Sequence, residues 1–242
     1  MARAGKSFRH EITPGNVILR RREFEKMEME YFCRPDDAPR HYEEWMDTRR
    51  QWFRDLAGHD ELFRFREHGD DERAHYATRA FDIEFNYPFG WKELEGIHNR
   101  TDFDLRRHAE YSGKKLEYFD EATNERFVPY VVETAVGADR ATLALLCAAY
   151  DEEPDKEGVR VVLRLHRDLA PYKVAVLPLS KKPELSALSR EVWAAVRPHF
   201  MSTYDETQAI GRRYRRQDEI GTLACVTVDF ESLEDNAVTL RD

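Results

Sequence analysis

The sequence predicts an α+β domain, an antiparallel sheet with helices, followed by a small α/β domain. Three observations support this fold class. Strand-like segments joined by turn residues recur in the first part of the chain, strands alternate with helices in the last part, and a charged segment, 151–158, separates the two. We therefore predict a first domain at 1–151, a linker at 152–158 and a second domain at 159–242.

The first domain is predicted to open with two strands within residues 5–34, connected through turn chemistry at Thr13–Asn16. Val17, Ile18 and Leu19 are strand formers and are expected to begin the second of these strands. Further along, Phe24–Phe32 alternates between apolar and charged residues. One face of that stretch should therefore pack into a core while the other carries charge.

The remaining elements follow from spacing. An apolar stripe beginning at Ala38-Pro39 predicts a helix that Gly58 ends. Elsewhere in the first domain we predict helices at 59–79, 102–112 and 138–150, and strands at 81–85, 94–97 and 128–133. In the second domain we predict strands at 159–165, 173–179 and 223–230, and helices at 184–200 and 207–217.

Composition excludes several classes of protein. The chain has 242 residues with 38 Lys+Arg against 47 Asp+Glu, a net charge of −9, which disfavours indiscriminate DNA binding. It holds no run of about 18 apolar residues and no secretory signal, so no membrane partner is expected. Its three widely spaced cysteines argue against a disulfide framework or a zinc cluster, and indicate a cytoplasmic protein.

An arginine cluster is the first candidate site. Arg9 and Glu11 point to the same side of a strand, and antiparallel pairing would bring Arg20 or Arg22 beside Arg9. Clustered guanidinium groups repel each other unless anions lie between them, and their planar forks suit phosphate oxygens. A polyphosphate site is favoured over the alternatives, a solvated basic strand or a surface RNA patch.

Paired carboxylates are the second candidate. Glu28 and Glu30 share one face of their strand, and Glu93 and Glu95 are likewise two residues apart on a strand, before a glycine. The first pair could hold an ammonium, Mg²⁺ or an arginine, with pairing to the arginine cluster as an equal alternative. The second pair could contact a metal or a nucleotide, and a plain ladder of ion pairs is an equal alternative. His98, close to the second pair, is interpreted as a structural histidine.

Two more patterns point to anions. Gly137, Asp139 and Arg140 lie where a strand is predicted to pass into a helix, whose N-terminus would attract a negative charge. Gly211–Arg216 holds four arginines around Tyr214 in an acidic chain, a local basic patch that suits RNA phosphates and a stacked base. The alternatives are an ordinary capped junction and a solvated helix face.

Long segments around these patterns resemble the dimeric class II glycyl-tRNA synthetases. GKSFRHEITPGNVILRRREFEKMEMEYF is similar to that family's second signature motif, and VPYVVETAVGADRATLALL to its third. WKELEGIHNRTDFDL resembles the strand that contacts adenosine and metal, while YKVAVLPLSKK and AIGRRYRRQDEIGTLACVTVDF resemble the anticodon-binding domain. The resemblance implies a class II catalytic core, incomplete here, followed by an anticodon-binding domain.

The resemblance also implies roles for individual residues. Arg9 and Arg140 would be the catalytic arginines on the phosphates of ATP, and Glu93 would contact Mg²⁺. The glycine site would comprise Phe24, Glu25, Lys26, Met27, Glu28, Glu133, Thr134, Ala135, Val136 and Gly137. The ATP site would comprise Arg9, His10, Glu11, Leu19, Arg20, Arg21, Arg22, Glu23, Phe24, Glu93, Leu94, Gly137, Ala138, Asp139 and Arg140.

The implied reaction is ATP-dependent activation of glycine to glycyl-adenylate, then transfer to tRNA(Gly). Arg212, Arg213, Arg215 and Arg216 would contact the tRNA, and the family is homodimeric. The family usually has Pro and Ser where Thr134 and Ala135 stand, and often Arg at Gly15. The dimer-forming first motif and the extreme C-terminal segment are not recognised. A catalytically incomplete fragment, a synthetase-derived RNA-binding paralogue and a related ligase for another amino acid are the alternatives.

Overall fold

A computed structural model describes residues 1–15, 17–69, 71, 75, 77–155 and 158–242. The chain divides into two compact units, Met1–Ala148 and Ala149–Asp242. The predicted α+β class, with an α/β unit in second place, is confirmed. Among the described residues, no helix combines the length and hydrophobicity needed to cross a bilayer.

The first unit is built on an antiparallel sheet of six strands in the order β1-β2-β8-β5-β4-β3. A separate short hairpin, β6 and β7, lies between α2 and β8 along the chain. The strands are β1 (Ala2–Phe8), β2 (Glu23–Cys33), β3 (Phe63–Glu67), β4 (Arg79–Tyr87), β5 (Gly90–Thr101), β6 (Tyr118–Asp120), β7 (Glu125–Phe127) and β8 (Tyr130–Gly137). The helices are α1 (Ala38–Ala57), α2 (Phe103–Ser112) and α3 (Ala138–Ala149), with short 3₁₀ turns at Pro35–Asp37 and Asp60–Leu62.

Helix α1 covers one face of the sheet. It ends where predicted, because Gly58 adopts the left-handed conformation (φ 71°) and its N–H binds the Arg54 carbonyl. The fully buried Tyr42 and Phe53 belong to its apolar stripe and join a core that includes Ile97 of β5 and Val132 of β8. The opposite face of β2, β8 and β5 remains available for a site.

Two predictions about the first unit are wrong. Val17–Leu19 is not a strand: Val17 has φ 56°, outside the β region, and β2 begins only at Glu23. The helix predicted at 59–79 is instead a 3₁₀ turn followed by β3, in which alternating Phe63 and Phe65 pack inward. Residues 70, 72–74 and 76 of that predicted helix lie outside the described residues.

The second unit contains a four-stranded sheet in the order β12-β11-β13-β14, in which β11 is parallel to β12 and β13. The predicted linker at 152–158 is wrong for its described residues, because they belong to the paired strands β9 and β10. The elements are β9 (Tyr150–Asp155), β10 (Gly158–Leu163), β11 (Val174–Pro178), α4 (Pro183–Val196), β12 (Ser202–Tyr204), α5 (Ile210–Glu219), β13 (Ala224–Val228), α6 (Ser232–Asp235) and β14 (Thr239–Arg241).

Candidate active site

A cavity of about 490 Å³ opens on the face of the first-unit sheet that α1 does not cover. Strands β2, β8 and β5 form its base, and the loop between β1 and β2, the start of α3 and one side of α2 surround it. Its lining has a group of carboxylates in one part and a group of guanidinium groups in another. We call Glu28, Glu30 and Glu133 the acidic floor, and Arg9, Arg20, Arg21 and Arg140 the basic rim.

The alternation predicted for β2 is confirmed. Phe24, Lys26 and Glu28 face the cavity, while Met27 and Tyr31 pack into the core on the other side. This pattern follows from the two-residue period of a strand. It gives β2 one charged face at the site, as the sequence predicted.

The acidic floor is held by cations. Glu28 accepts from Lys26 Nζ at 2.5 Å and from Arg3 at 2.7 Å, and Arg100 Nη1 lies 2.8 Å from Glu133. Burial on its own raises the pKa of Glu28, but the hydrogen bonds from Lys26 and Arg3 outweigh it, and the net pKa lies below the ordinary value. For Glu133, burial prevails and the pKa is raised.

One ammonium group already lies between the two carboxylates. Lys26 Nζ is 2.5 Å from Glu28 and 4.0 Å from Glu133. Beneath this position the sheet carries a small side chain, since Ala135 is the cross-strand partner of Glu28. The floor is therefore suited to a compact cation.

The basic rim depends on the loop between β1 and β2. The Arg9 N–H donates to the Arg22 carbonyl at 2.8 Å, which confirms the predicted antiparallel approach of the two arms. Arg20 pairs with Glu11 at 3.1 Å, and the Arg9 guanidinium lies 5.2 Å from the centre of the Phe24 ring. Several guanidinium groups thus converge on one opening, an arrangement suited to phosphate.

Arg140, in the first turn of α3, connects the loop between β1 and β2 to β5 through hydrogen bonds. Its Nε donates to the Leu19 carbonyl and its Nη1 to the Glu93 carbonyl, both at 3.1 Å, and the Glu93 carboxylate is 3.4 Å away. Strand β8 passes directly into α3 at Gly137, as predicted. An arginine at this helix start is therefore oriented by the loop and by β5 together.

The prediction that Glu93 and Glu95 act as a pair on one strand is wrong. A bulge in β5 pairs Ile83 with Glu95 and Glu84 with Glu93, so the β5 residue between the two glutamates has no cross-strand partner. The side chains of Glu93 and Glu95 therefore point to opposite faces of the sheet. Glu93 lines the cavity, whereas Glu95 is fully buried and binds Arg49. Only Glu93 can act in the site.

The structure gathers most of the predicted ATP-site residues. Those that line the cavity are Arg9, Glu11, Leu19, Arg20, Arg21, Phe24, Glu93, Leu94, Gly137, Asp139 and Arg140. His10, Arg22, Glu23 and Ala138 lie outside that lining. Arg22 instead donates to the Glu11 carbonyl, and Glu23 pairs with Lys6.

Of the predicted glycine-site residues, Glu25, Met27 and Thr134 lie away from the cavity, and their assignment to it needs correction. Strand alternation explains this, because a continuous stretch of strand cannot put every side chain on one face. The lining contains Phe24, Lys26, Glu28, Glu133, Ala135, Val136 and Gly137.

Sequence reasoning missed several lining residues. Arg3 is the cross-strand partner of Glu28, a relation that only the strand register reveals. Arg100 follows His98 by two residues on β5, and that spacing could have suggested a shared face. Asp104 and His108 approach from α2, whose position against the sheet the sequence does not show.

The arginine patch of the second unit needs a similar correction. Arg213 is 1% exposed and donates to the carbonyls of Pro178, Glu206, Thr207 and Gln208, so it is a structural residue. Arg215 pairs with Asp155 and Arg216 with Asp205. The Tyr214 hydroxyl bonds to Thr227 within the unit. Of the four predicted tRNA contacts, Arg212 is the exposed one.

Within the described part of the chain, no group of three or more His, Cys, Asp or Glu side chains is arranged to hold a metal ion. Glu93 is a single carboxylate, half-exposed at the cavity opening beside the basic rim. Mg²⁺ is commonly held by one or two carboxylates together with substrate phosphates. Glu93 fits that role when a polyphosphate lies on the basic rim.

Comparison with known proteins finds glycine–tRNA ligases among the relatives of the chain. Glycine–tRNA ligases of Bacillus anthracis and Corynebacterium efficiens are each 54% identical to the chain, over 98% and 100% of its length. That of Geobacillus kaustophilus is 51% identical over 100%. The chain spans about half the length of these relatives, 52%, 54% and 52% respectively.

Two family profiles divide the sequence between them. Residues 173–242 match the anticodon binding domain. Residues 1–150, which carry the whole cavity, match the tRNA synthetase class II core domain (G, H, P, S and T). The chain therefore belongs to the class II tRNA synthetase family.

Proposed function

We propose that the chain carries the active site of a glycine–tRNA ligase, which forms glycyl-adenylate from glycine and ATP and passes glycine to the 3′ end of tRNA(Gly). The observation that carries the proposal is one cavity that joins the acidic floor to the basic rim. An amino acid has an ammonium group and ATP has phosphates, so a joint site for both needs these opposite charges close together.

The basic rim supplies the ATP end. Guanidinium groups bind phosphate oxygens in a planar, two-point manner, and Arg9 and Arg140 approach the opening from different elements. Arg140 is held by two backbone carbonyls, so it is oriented before ATP arrives. Preorganised charge of this kind stabilises a transition state at little reorganisation cost.

The acidic floor supplies the glycine end. Lys26 Nζ, between Glu28 and Glu133, occupies the place proposed for the glycine ammonium, and its flexible stem allows it to move aside. The two carboxylates would then receive the α-ammonium above Ala135. Selection of glycine must be mainly exclusion, since a pocket gains little from a missing side chain.

The proposed chemistry needs no side-chain nucleophile. A glycine carboxylate oxygen attacks the α-phosphorus of ATP, the bond to the bridging oxygen breaks, and pyrophosphate leaves with that oxygen. In the second step the tRNA 3′-terminal hydroxyl attacks the glycyl carbonyl and gives its proton to the phosphate of the adenylate, and AMP leaves as the bond between that phosphate oxygen and the carbonyl carbon breaks. Arg9 and Arg140 align the phosphates and neutralise the charge that develops on them.

Mg²⁺ is proposed to be held by Glu93 and the phosphate oxygens of ATP, where it would neutralise phosphate charge.

We further propose that the second unit contacts tRNA with Arg212 among the contacts, and that the ligase acts as a cytosolic homodimer. The alternative of an RNA-binding paralogue is less favoured, because Arg213, Arg215 and Arg216 are engaged within the second unit.

Binding of an intermediate analogue tests the proposal. Glycyl-sulfamoyladenosine mimics glycyl-adenylate, and calorimetry should show saturable one-to-one binding to the chain. Arg9→Ala should weaken that binding roughly tenfold or more, while the exposed Arg106→Ala on α2 should not change it. Absence of binding by folded wild-type protein, or equal binding by the Arg9 variant, would overturn the proposal.

A further inference from the structure

The imidazole of His98 covers Gly96 on the base of the cavity. A methyl group built on Gly96 would lie 2.7 Å from His98 Cε1 and 3.6 Å from both ring nitrogens. The ring therefore lies directly over the glycine, along its own strand, and both residues line the cavity. Because the ring leaves no room for a Cβ at position 96, this close approach requires glycine there.

The strand register places this ring beside the acidic floor. Gly96 is the cross-strand partner of Ala135, and His98 is the partner of Glu133. Paired residues project from the same face with Cβ atoms roughly 5 Å apart. Ala135 consequently forms a small open area, with Glu28 on one side and the His98 ring on the other.

We infer that His98 is the specificity-determining residue that restricts the amino-acid site to glycine, an inference that rests on the proposed function. An ammonium held by Glu28 and Glu133 above Ala135 places the substrate Cα against the imidazole. Glycine presents hydrogens there, whereas a methyl or larger substituent would overlap the ring.

Two features fix the position and the charge of the His98 ring. His98 belongs to β5, which is bonded to strands on both sides, so its backbone is fixed. Its surroundings also favour an uncharged ring, because burial lowers the pKa of His98 despite the opposing effect of Asp82. The other charged groups near it are Glu93, Glu133, Arg100 and His68.

Calorimetry with glycyl-sulfamoyladenosine and alanyl-sulfamoyladenosine tests the inference on the intact chain. Wild-type protein should strongly prefer the glycyl compound. His98→Ala should strengthen alanyl binding roughly tenfold or more and leave glycyl binding within about threefold, since a methyl-sized space is worth about 10–200-fold in selectivity. His98→Phe keeps a ring of similar size and should retain the preference.

His59→Ala is the matched control, because His59 is half-exposed and pairs with its near neighbour Glu61. Gly96→Ala gives a second, independent test. Its added methyl would push the imidazole further into the site, so glycyl binding should weaken roughly tenfold or more with no gain for the alanyl compound.

The outcomes separate the inference from the proposed function. If wild-type protein binds neither compound, the proposed function fails, and the inference with it. If it binds the glycyl compound and His98→Ala leaves the preference unchanged, the inference alone is wrong. Should His98→Ala not fold, loss of preference in His98→Phe or undiminished glycyl binding by Gly96→Ala would contradict it equally.

Discussion

Arg49 and Glu95 form a two-point ion pair behind the cavity, with Nε–Oε1 at 2.7 Å and Nη2–Oε2 at 2.9 Å. Glu95 is fully buried on β5, and Arg49 reaches it from α1 while lying 4.4 Å from the centre of the Trp52 ring. The pair therefore fastens the helix to the central strand of the site. Burial raises the pKa of Glu95 even though Arg49 opposes it.

Removing Arg49 should destabilise the first unit. Arg49→Ala leaves a buried carboxylate without its cation, which typically costs about 3–5 kcal/mol in the free energy of unfolding. Because Arg49 lowers the Glu95 pKa, its removal moves the folded-state pKa further above the unfolded one, and the variant loses more stability than wild type as the pH rises through the glutamate range. The loss measured by urea unfolding should thus be larger at pH 7 than at pH 5, and a loss independent of pH would contradict this account.

Glu133 should control glycine affinity. Glu133→Gln removes the charge at nearly constant size, and glycyl-sulfamoyladenosine should bind roughly tenfold more weakly at pH 7.5. Because burial raises the Glu133 pKa above the ordinary 4.5, wild-type affinity should begin to fall while the pH is still above that value. The Gln variant should lack this component of the pH dependence.

Glu25→Gln is the matched control for that measurement. Glu25 lies on the same strand as Glu28 but is exposed and outside the cavity lining. Its variant should bind like wild type. Similar losses in both variants would mean that the effect reflects net charge rather than the acidic floor.

Arg140 should be needed for ATP binding. Arg140→Ala deletes a rim guanidinium and the bonds that hold the Leu19 and Glu93 carbonyls. We expect ATP affinity, measured by calorimetry, to fall roughly tenfold or more. Arg140→Lys should recover little of it, because an ammonium cannot reproduce the planar fork. Full recovery with Lys would argue against two-point contacts.

Arg213 should stabilise the second unit. Arg213→Ala leaves several carbonyls of the loop before α5 without their buried donor, and we expect a loss of about 3 kcal/mol or more on unfolding. Arg212→Ala, one residue earlier and exposed, should change stability by less than about 0.5 kcal/mol. Equal losses would contradict the structural role assigned to Arg213.

Local patterns predicted much of the fold. The helix ending at Gly58, the two faces of β2 and the passage of β8 into α3 all follow from periodicity and end signals. Short β3 was mistaken for helix because five residues carry too little periodic signal among many charges. Strand β9 is not predicted, because its charged residues resemble a linker, whereas the strand predicted at 159–165 corresponds to its partner β10.

The site was predicted in composition but not in detail. The arginines of the basic rim and the pair Glu28 and Glu133 were identified from motifs, and the structure brings them into one cavity. The β5 bulge that turns Glu95 away has no sequence signature, and Arg3 becomes visible only through register. The burial of Arg213 likewise depends on tertiary packing that helix periodicity does not report.

If this cavity activates glycine, the chain should catalyse a glycine-dependent exchange of ATP with labelled pyrophosphate. Wild-type chain should catalyse exchange with glycine but not with alanine or serine. Arg9→Ala, shown to be folded, should reduce the rate roughly a hundredfold or more. Folded wild-type protein without exchange, or an Arg9 variant that exchanges equally well, would contradict the account.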